Sequence, residues 1–187
     1  DALDEAETII RDGSFQRGQL LYEHLSTHHA LLEGNRFAAL QRLRKLAWVP
    51  ATTPTVDVEP KQASQLLALQ DVFPKHLAKV VWAVAPSLSV DVVIDELSPS
   101  RSLEAEPEIL LLQIKALATS AAAAAADATT PPHISAAALS HMSATFGALL
   151  PLLSKLPNLE DHPLLKDLAF VPCVAADGSG EGADLYP

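Results

Sequence analysis

One cysteine, Cys173, stands among 187 residues, so no internal disulfide can brace this chain, and the thiol content fits a reducing compartment. Aromatic residues are scarce at 5% while alanine and leucine abound, which suits helices packed through small side chains better than a β-sandwich. Positive charge is also short. Thirteen Lys and Arg face 23 Asp and Glu, a formal charge of −10, and such a field repels a phosphate backbone, so nucleic acid is not an expected partner. Each apolar run reads as interrupted by Pro, Ser or charge before it reaches membrane-spanning length, so no membrane partner is expected either, and the location expected is cytoplasmic. The hydrophobic share of 49% is enough for one ordinary core or two small ones. The fold class expected is mainly α with short β segments (α+β), built as helical layers.

What is present is a motif used twice. Residues 43–51 read LRKLAWVPA and residues 165–173 read LKDLAFVPC. Leu46, Ala47, Trp48, Val49 and Pro50 thus match Leu168, Ala169, Phe170, Val171 and Pro172 at a separation of 122 residues. Proline has no amide hydrogen and pushes the preceding residue toward extended geometry. Val49 and Val171 are therefore each predicted in a short strand, after a helix that delivers a buried aromatic ring. Trp48 and Phe170 are expected in equivalent buried places.

Along the chain, residues 2–11 read as an acidic helix stopped by Asp12 and Gly13. Residues 16–33 form a second helix with Leu21, Leu25 and Leu32 on its apolar side, and Asn35 caps a third, lined by Phe37, Leu40, Leu43 and Ala47. Residues 51–60 read as an extended connection. Helices are expected through Leu66, Leu67 and Leu69, and again after Pro74 through Leu77, Val80, Val81 and Val84. Ser89 has the character of an N-cap for a helix carrying Val90, Val93, Ile94 and Leu97 at the regular apolar spacing. Glu108 to Ser120 form another helix that the six alanines 121–126 prolong, before Pro131 and Pro132 end it; residues 121–133 read as a poorly ordered, deletable insertion. A long helix follows from Ser135, kinked or split at Pro151, and the closing Gly-rich stretch reads as a hairpin with Asp177 and Gly178 at its tip. Three segments result: 1–97, a first helical unit with the WVP motif; 98–134, a linker, a helix and the Ala-rich stretch; and 135–187, a second helical unit with the FVP motif. The chain opens without methionine or a signal-like segment and reads as part of a longer parent chain.

Chemistry-bearing residues are few. His24 and His28 sit four apart on one predicted helix, a spacing that suits two metal ligands, but the residue after the first His is Leu25 where the zinc-protease pattern needs Glu, and a solvated helix face explains them equally. Cys173 has no sequence-near His and reads as a small core residue. The DGSGEG stretch at 177–182 lacks the Gly-Lys-Ser/Thr ending of a phosphate loop and the ligand spacing of a calcium loop. Arg36, Arg42, Arg44 and Lys45 form a basic face that reads as a solvated surface paired with acids. No catalytic, cofactor-binding or metal residue is assigned.

The segments EAETIIRDGSF, GQLLYEHLSTHH, RFAALQRLRKLAWVPA, DVFPKHL, SLSVDVVIDEL, FGALLPLLSKL and LLKDLAFVPCVAADG, in that order, resemble the repeat regions of sacsin-like giant proteins, with residues 118–134 outside the similarity. The resemblance implies a region outside the Hsp90-like ATPase modules of such proteins, in a molecular chaperone or co-chaperone. No Asn-bearing nucleotide helix or Gly-rich lid is present, so no ATP-binding residue carries over. On this reading the chain is a non-catalytic helical repeat segment, a scaffold or contact region for protein partners or unfolded clients, with no cofactor. Two alternatives are a helical-repeat adaptor unrelated to chaperones and a small enzyme domain, for which His24, His28, Cys173 and Asp177 are the nominal candidates.

Overall fold

The structure, a computed structural model, describes residues 1–27, 36–55, 65–91, 95–124, 133–156, 162–166, 169–173 and 182–186. Of these, 57% lie in helices and the strands are short and antiparallel, so the chain is mainly α with short β segments. It divides into two compact units, one of Asp1–Pro54, Pro60–Ala78 and Ala85–Ser102, the other of Thr55–Glu59, Lys79–Val84 and Leu103–Pro187. That division differs from the three segments read from the sequence, because the helix expected in the middle segment belongs to the core of the second unit.

In the first unit, Asp1 starts helix α1 (Ala2–Asp12) by accepting the amides of Leu3 and Asp4 at 2.8 and 3.0 Å. Gly13 ends it in the left-handed region, at φ 63°, where its N–H reaches the Ile9 carbonyl. Helix α2 (Phe15–Thr27) turns back against α1, and Arg17 ties the two by donating to Glu5 at 2.7 Å and Asp12 at 2.8 Å. These groups are about 40% exposed, so the ties orient more than they stabilise. Helix α3 (Arg36–Lys45) leads into strand β1 (Val49–Ala51), which pairs antiparallel with strand β2 (Gln65–Leu67), Val49 opposite Leu67 and Ala51 opposite Gln65. Ile9, Tyr22, Leu43, Trp48, Leu69, Leu88 and Leu97 are fully buried in this core, each contributing roughly 1.5–3 kcal/mol.

The sequence misleads at several places here. The helix expected through Leu66 and Leu67 is strand β2, since β1 requires a partner for its backbone and the local leucines serve either structure. Ser89 caps no helix. Its N–H and Oγ–H both go to the Pro50 carbonyl, at 3.0 and 2.8 Å, and of the helix expected there only a 3₁₀ turn at Asp95–Leu97 is described, Val93 and Ile94 lying outside the described residues. Phe37 is 73% exposed and Ala47 is exposed, so the apolar side of α3 narrows to Leu40 and Leu43. After Pro74 the chain makes a 3₁₀ turn, Lys75–Leu77, and the single turn of helix α4 (Ala78–Val81), in which Val80 and Val81 are buried as expected.

The second unit is built on two long helices and a three-stranded sheet. Helix α5 (Glu108–Ala124) buries Leu110, Leu111, Ile114 and Ala118. The alanines do prolong it. Ala121, however, is 7% exposed and belongs to the core while Ala122 and Ala123 are exposed, and His133 at the far end pairs in a sheet, so both ends of the stretch 121–133 expected as a poorly ordered insertion belong to the fold. Residues 125–132 lie outside the described residues. Strand β3 (His133–Ser135) passes directly into helix α6 (Ala136–Leu149), with Ser135 Oγ accepting the Ala138 amide. A 3₁₀ run, Leu150–Lys155, follows, with Pro151 in its first turn, so the proline splits the helix as expected. Strands β4 (Val171–Cys173) and β5 (Gly182–Tyr186) pair antiparallel as the expected hairpin; its tip, Asp177 and Gly178 included, lies outside the described residues. The strand order is β3-β5-β4. Trp82, Leu117, Ile134, Met142 and Leu185 close the core.

Helix α6 and its 3₁₀ extension form one run, Ala136–Lys155, long and apolar enough by length and composition to cross a membrane. This corrects the reading that every apolar run is interrupted, since Ser, Thr and Pro cost little hydropathy and no Asp, Glu, Lys or Arg precedes Lys155 in it. Ala138, Met142, Thr145, Leu149 and Leu152 are its buried residues, a single stripe, and 28% of the apolar window is buried.

Candidate interaction site

The two copies of the repeated motif share a backbone course and differ in what surrounds it. In the first, Leu46 is half-buried and Ala47 exposed, while Trp48, Val49 and Pro50 are buried. The Trp48 indole N–H donates to the Leu43 carbonyl at 2.8 Å, which turns the ring back under α3. Its ring lies 6.0 Å from that of Tyr22, whose hydroxyl donates to the Leu97 carbonyl at 3.1 Å. Burial pushes the Tyr22 phenol up to about 12, against the opposing pull of the Arg44 charge. Gly18 lets α2 lie directly on β1, since a Cβ there would stand 2.6 Å from the Trp48 carbonyl oxygen.

Strand β1 is covered on both edges. Beyond β2 on one side, the segment 87–89 runs antiparallel on the other, with Thr52 N–H donating to the Ser87 carbonyl at 2.9 Å, Ser89 donating to Pro50, and Leu88 opposite Ala51. Phe73 holds that segment from beyond through bonds of 3.0 and 2.9 Å, and the Arg101 guanidinium sits 4.3 Å over the Phe73 ring.

In the second copy, Leu168 lies outside the described residues, Ala169, Phe170 and Pro172 are half-buried, and Val171 is 41% exposed. The expectation that Trp48 and Phe170 are equivalent holds for their place before a strand and fails for burial. Phe170 stacks on Phe146 of α6, with ring centroids 6.4 Å apart, and packs against the core of this unit while remaining half-buried. The described residues ahead of it, 163–166, form a turn on the His162 carbonyl, and among the described residues no helix like α3 leads into the ring. Leu150, one turn on from Phe146, is 67% exposed. Together Phe146, Leu150, Phe170 and Val171 leave apolar surface on this unit.

Of the four residues nominated for chemistry, two fall among the described residues. His24 is exposed near the end of α2, Cys173 is exposed in β4, and His28 and Asp177 lie outside the described residues. Among the described residues no three His, Cys, Asp or Glu side chains stand together as a metal site. On the basic face, Arg42 is 3.6 Å from Glu7 and Arg44 donates to the Glu96 carbonyl and the Ser100 hydroxyl, so these arginines serve the fold. A cleft of about 380 Å³ opens where α5 begins, lined by Glu106, Pro107, Glu108, Leu112, Lys155 and Leu156. Its acids oppose anion binding at that helix start, and Lys155 is turned to the Glu104 carbonyl at 3.3 Å. Sequence reasoning missed the cleft, which joins residues some 45 positions apart by chain folding alone.

Comparison of the chain with family models, with curated proteins and with solved structures gives no match.

Proposed function

We propose that the chain is a non-catalytic helical repeat segment of a sacsin-like molecular chaperone or co-chaperone, acting as a scaffold and as a contact region for protein partners or unfolded clients. The observation that carries the reading is the recurrence itself: in two separate units the same five-residue motif puts its Val-Pro pair into a short antiparallel strand behind an aromatic ring. The contact role is supported by the second copy, where Phe170 and Val171 stay partly open and Leu150 is exposed beside Phe146. The amphipathic helix expected at 89–97 no longer supports such a role, and the apolar surface that remains is on α6 and β4. Surface of this kind, set in a chain of charge −10, holds apolar segments while charge repulsion keeps the complexes dispersed.

The test uses the whole chain. It is expected to suppress light scattering by a thermally unfolding client protein at near-stoichiometric ratio, and Leu150→Glu with Val171→Glu is expected to weaken that suppression severalfold. In parallel, calorimetric titration with ATP should give no binding heat. Nucleotide binding overturns the non-catalytic assignment, and absence of any client effect overturns the contact role.

A further inference from the structure

We propose that the outer edge of β4 is a docking edge for an extended segment of a partner protein, lying antiparallel and presenting Ser or Thr to the carbonyl of Pro172, as residues 87–89 lie on β1. The inference rests on the repeat within the proposed function and not on the chaperone assignment.

The first copy displays the bound form. Pro50 has no N–H, so on its outer side β1 offers a carbonyl there and asks for a donor. Ser89 answers twice, by N–H at 3.0 Å and by Oγ–H at 2.8 Å, while Leu88 covers Ala51. With that segment in place, Val49 and Ala51 are fully buried.

Among the described residues the second copy repeats the strand without the cover. Val171, Pro172 and Cys173 stand opposite Tyr186, Leu185 and Asp184 of β5, and among the described residues β4 ends the sheet order. Pro172 has no N–H to exchange with Leu185, so the ladder to β5 runs through Val171 and Cys173, and the Pro172 carbonyl faces the open edge as the Pro50 carbonyl faces Ser89. The matching pair is correspondingly uncovered, with Val171 41% exposed and Cys173 exposed.

A second copy of β4 is the wrong occupant. Set antiparallel about Pro172, two such strands oppose two carbonyls with no N–H between them, so the proline blocks self-pairing at the centre of a three-residue edge. A partner segment with a backbone N–H and a hydroxyl at that position meets the carbonyl from both, and an apolar residue before it covers the Cys173 position.

Cys173, the sole cysteine, supplies the readout. Directly opposed residues in the non-hydrogen-bonded pairs of an antiparallel ladder have Cα atoms about 4.5 Å apart, within disulfide range. A synthetic peptide of residues 84–92 with Leu88→Cys is incubated with the full chain in a buffer of reduced and oxidised glutathione, the oxidised form being reduced as the mixed disulfide forms. Mixed disulfide with Cys173 is expected at least tenfold above that of the same peptide with Leu88 kept and Ser89→Cys, because a one-residue slip turns the thiol to the other face. Adding Ser89→Pro to the Leu88→Cys peptide removes both donors and should abolish the preference. A reading free of thiols comes from backbone amide shifts in β4 and β5 of the Cys173→Ser chain on titration with the unaltered peptide. Equal cross-linking by both cysteine positions, or no shift, overturns the docking edge. Cross-linking in register together with failure to hold clients keeps the docking edge and removes the chaperone contact role.

Discussion

Val49 and Val171 hold the same place in two copies of one motif, yet the first is fully buried and the second 41% exposed. Both lie in three-residue strands before proline, so the local instruction is obeyed twice. What differs is supply. The first copy receives α3 ahead of it, α2 laid close through Gly18, β2 on one edge and residues 87–89 on the other. Among the described residues the second receives β5, the face of Phe146 and the border of its unit's core. A short motif therefore dictates the turn from aromatic to strand, and the neighbours decide whether the result is core or surface.

The largest expected effect tests that asymmetry directly. Trp48→Ala should lower stability by about 3–5 kcal/mol, as loss of a fully buried ring with its hydrogen bond, whereas Phe170→Ala should cost about half as much. Urea unfolding of the two variants measures both, and equal losses would break the comparison.

A second effect belongs to the first unit alone. The Tyr22 phenol is raised to about 12 in the folded chain against 10 when unfolded, so the folded state keeps a proton that the unfolded state releases. Stability is unaffected below pH 10 and falls as pH rises from 10 toward 12, by on the order of 2–3 kcal/mol. Unfolding followed by the one tryptophan of each core, Trp48 or Trp82, should show the loss at Trp48, and Tyr22→Phe should remove it.

The smallest effects concern two glycines. Gly18→Ala drives a methyl against the Trp48 carbonyl and should cost about 1–3 kcal/mol, while Gly147→Ala in α6 meets nothing within 4 Å and should add about 0.5–1 kcal/mol through helix propensity. Thermal melts resolve the two signs. A neutral Gly18→Ala would show that α2 does not need its close seat on β1.

Much of the helical framework was legible in residues alone, and for identifiable reasons. The Asp12-Gly13 stop, the apolar faces of α5 and α6 and the split at Pro151 are written in neighbours three or four positions away. The antiparallel pairing of β4 with β5 was legible from the Gly-rich stretch of sequence between them. Phe37 was misplaced because an apolar residue near a helix start fits a stripe on paper whether or not anything packs there. Of the candidate site, the motif was visible and its unequal burial was not, since nothing within LAFVPC states how much of the ring Phe146 will cover.

By itself the sequence determined the course of the backbone wherever the deciding group was local: a proline without an N–H, a glycine free to turn left-handed, an apolar stripe at helical spacing. Only the tertiary structure decided that Gln65–Leu67 is a strand, that Ser89 spends both donors on Pro50, and that Ala121 is core. Each of those outcomes depends on a partner far along the chain, a bare carbonyl or an open edge brought near by folding, and a short apolar or polar segment carries no mark of the partner that will claim it.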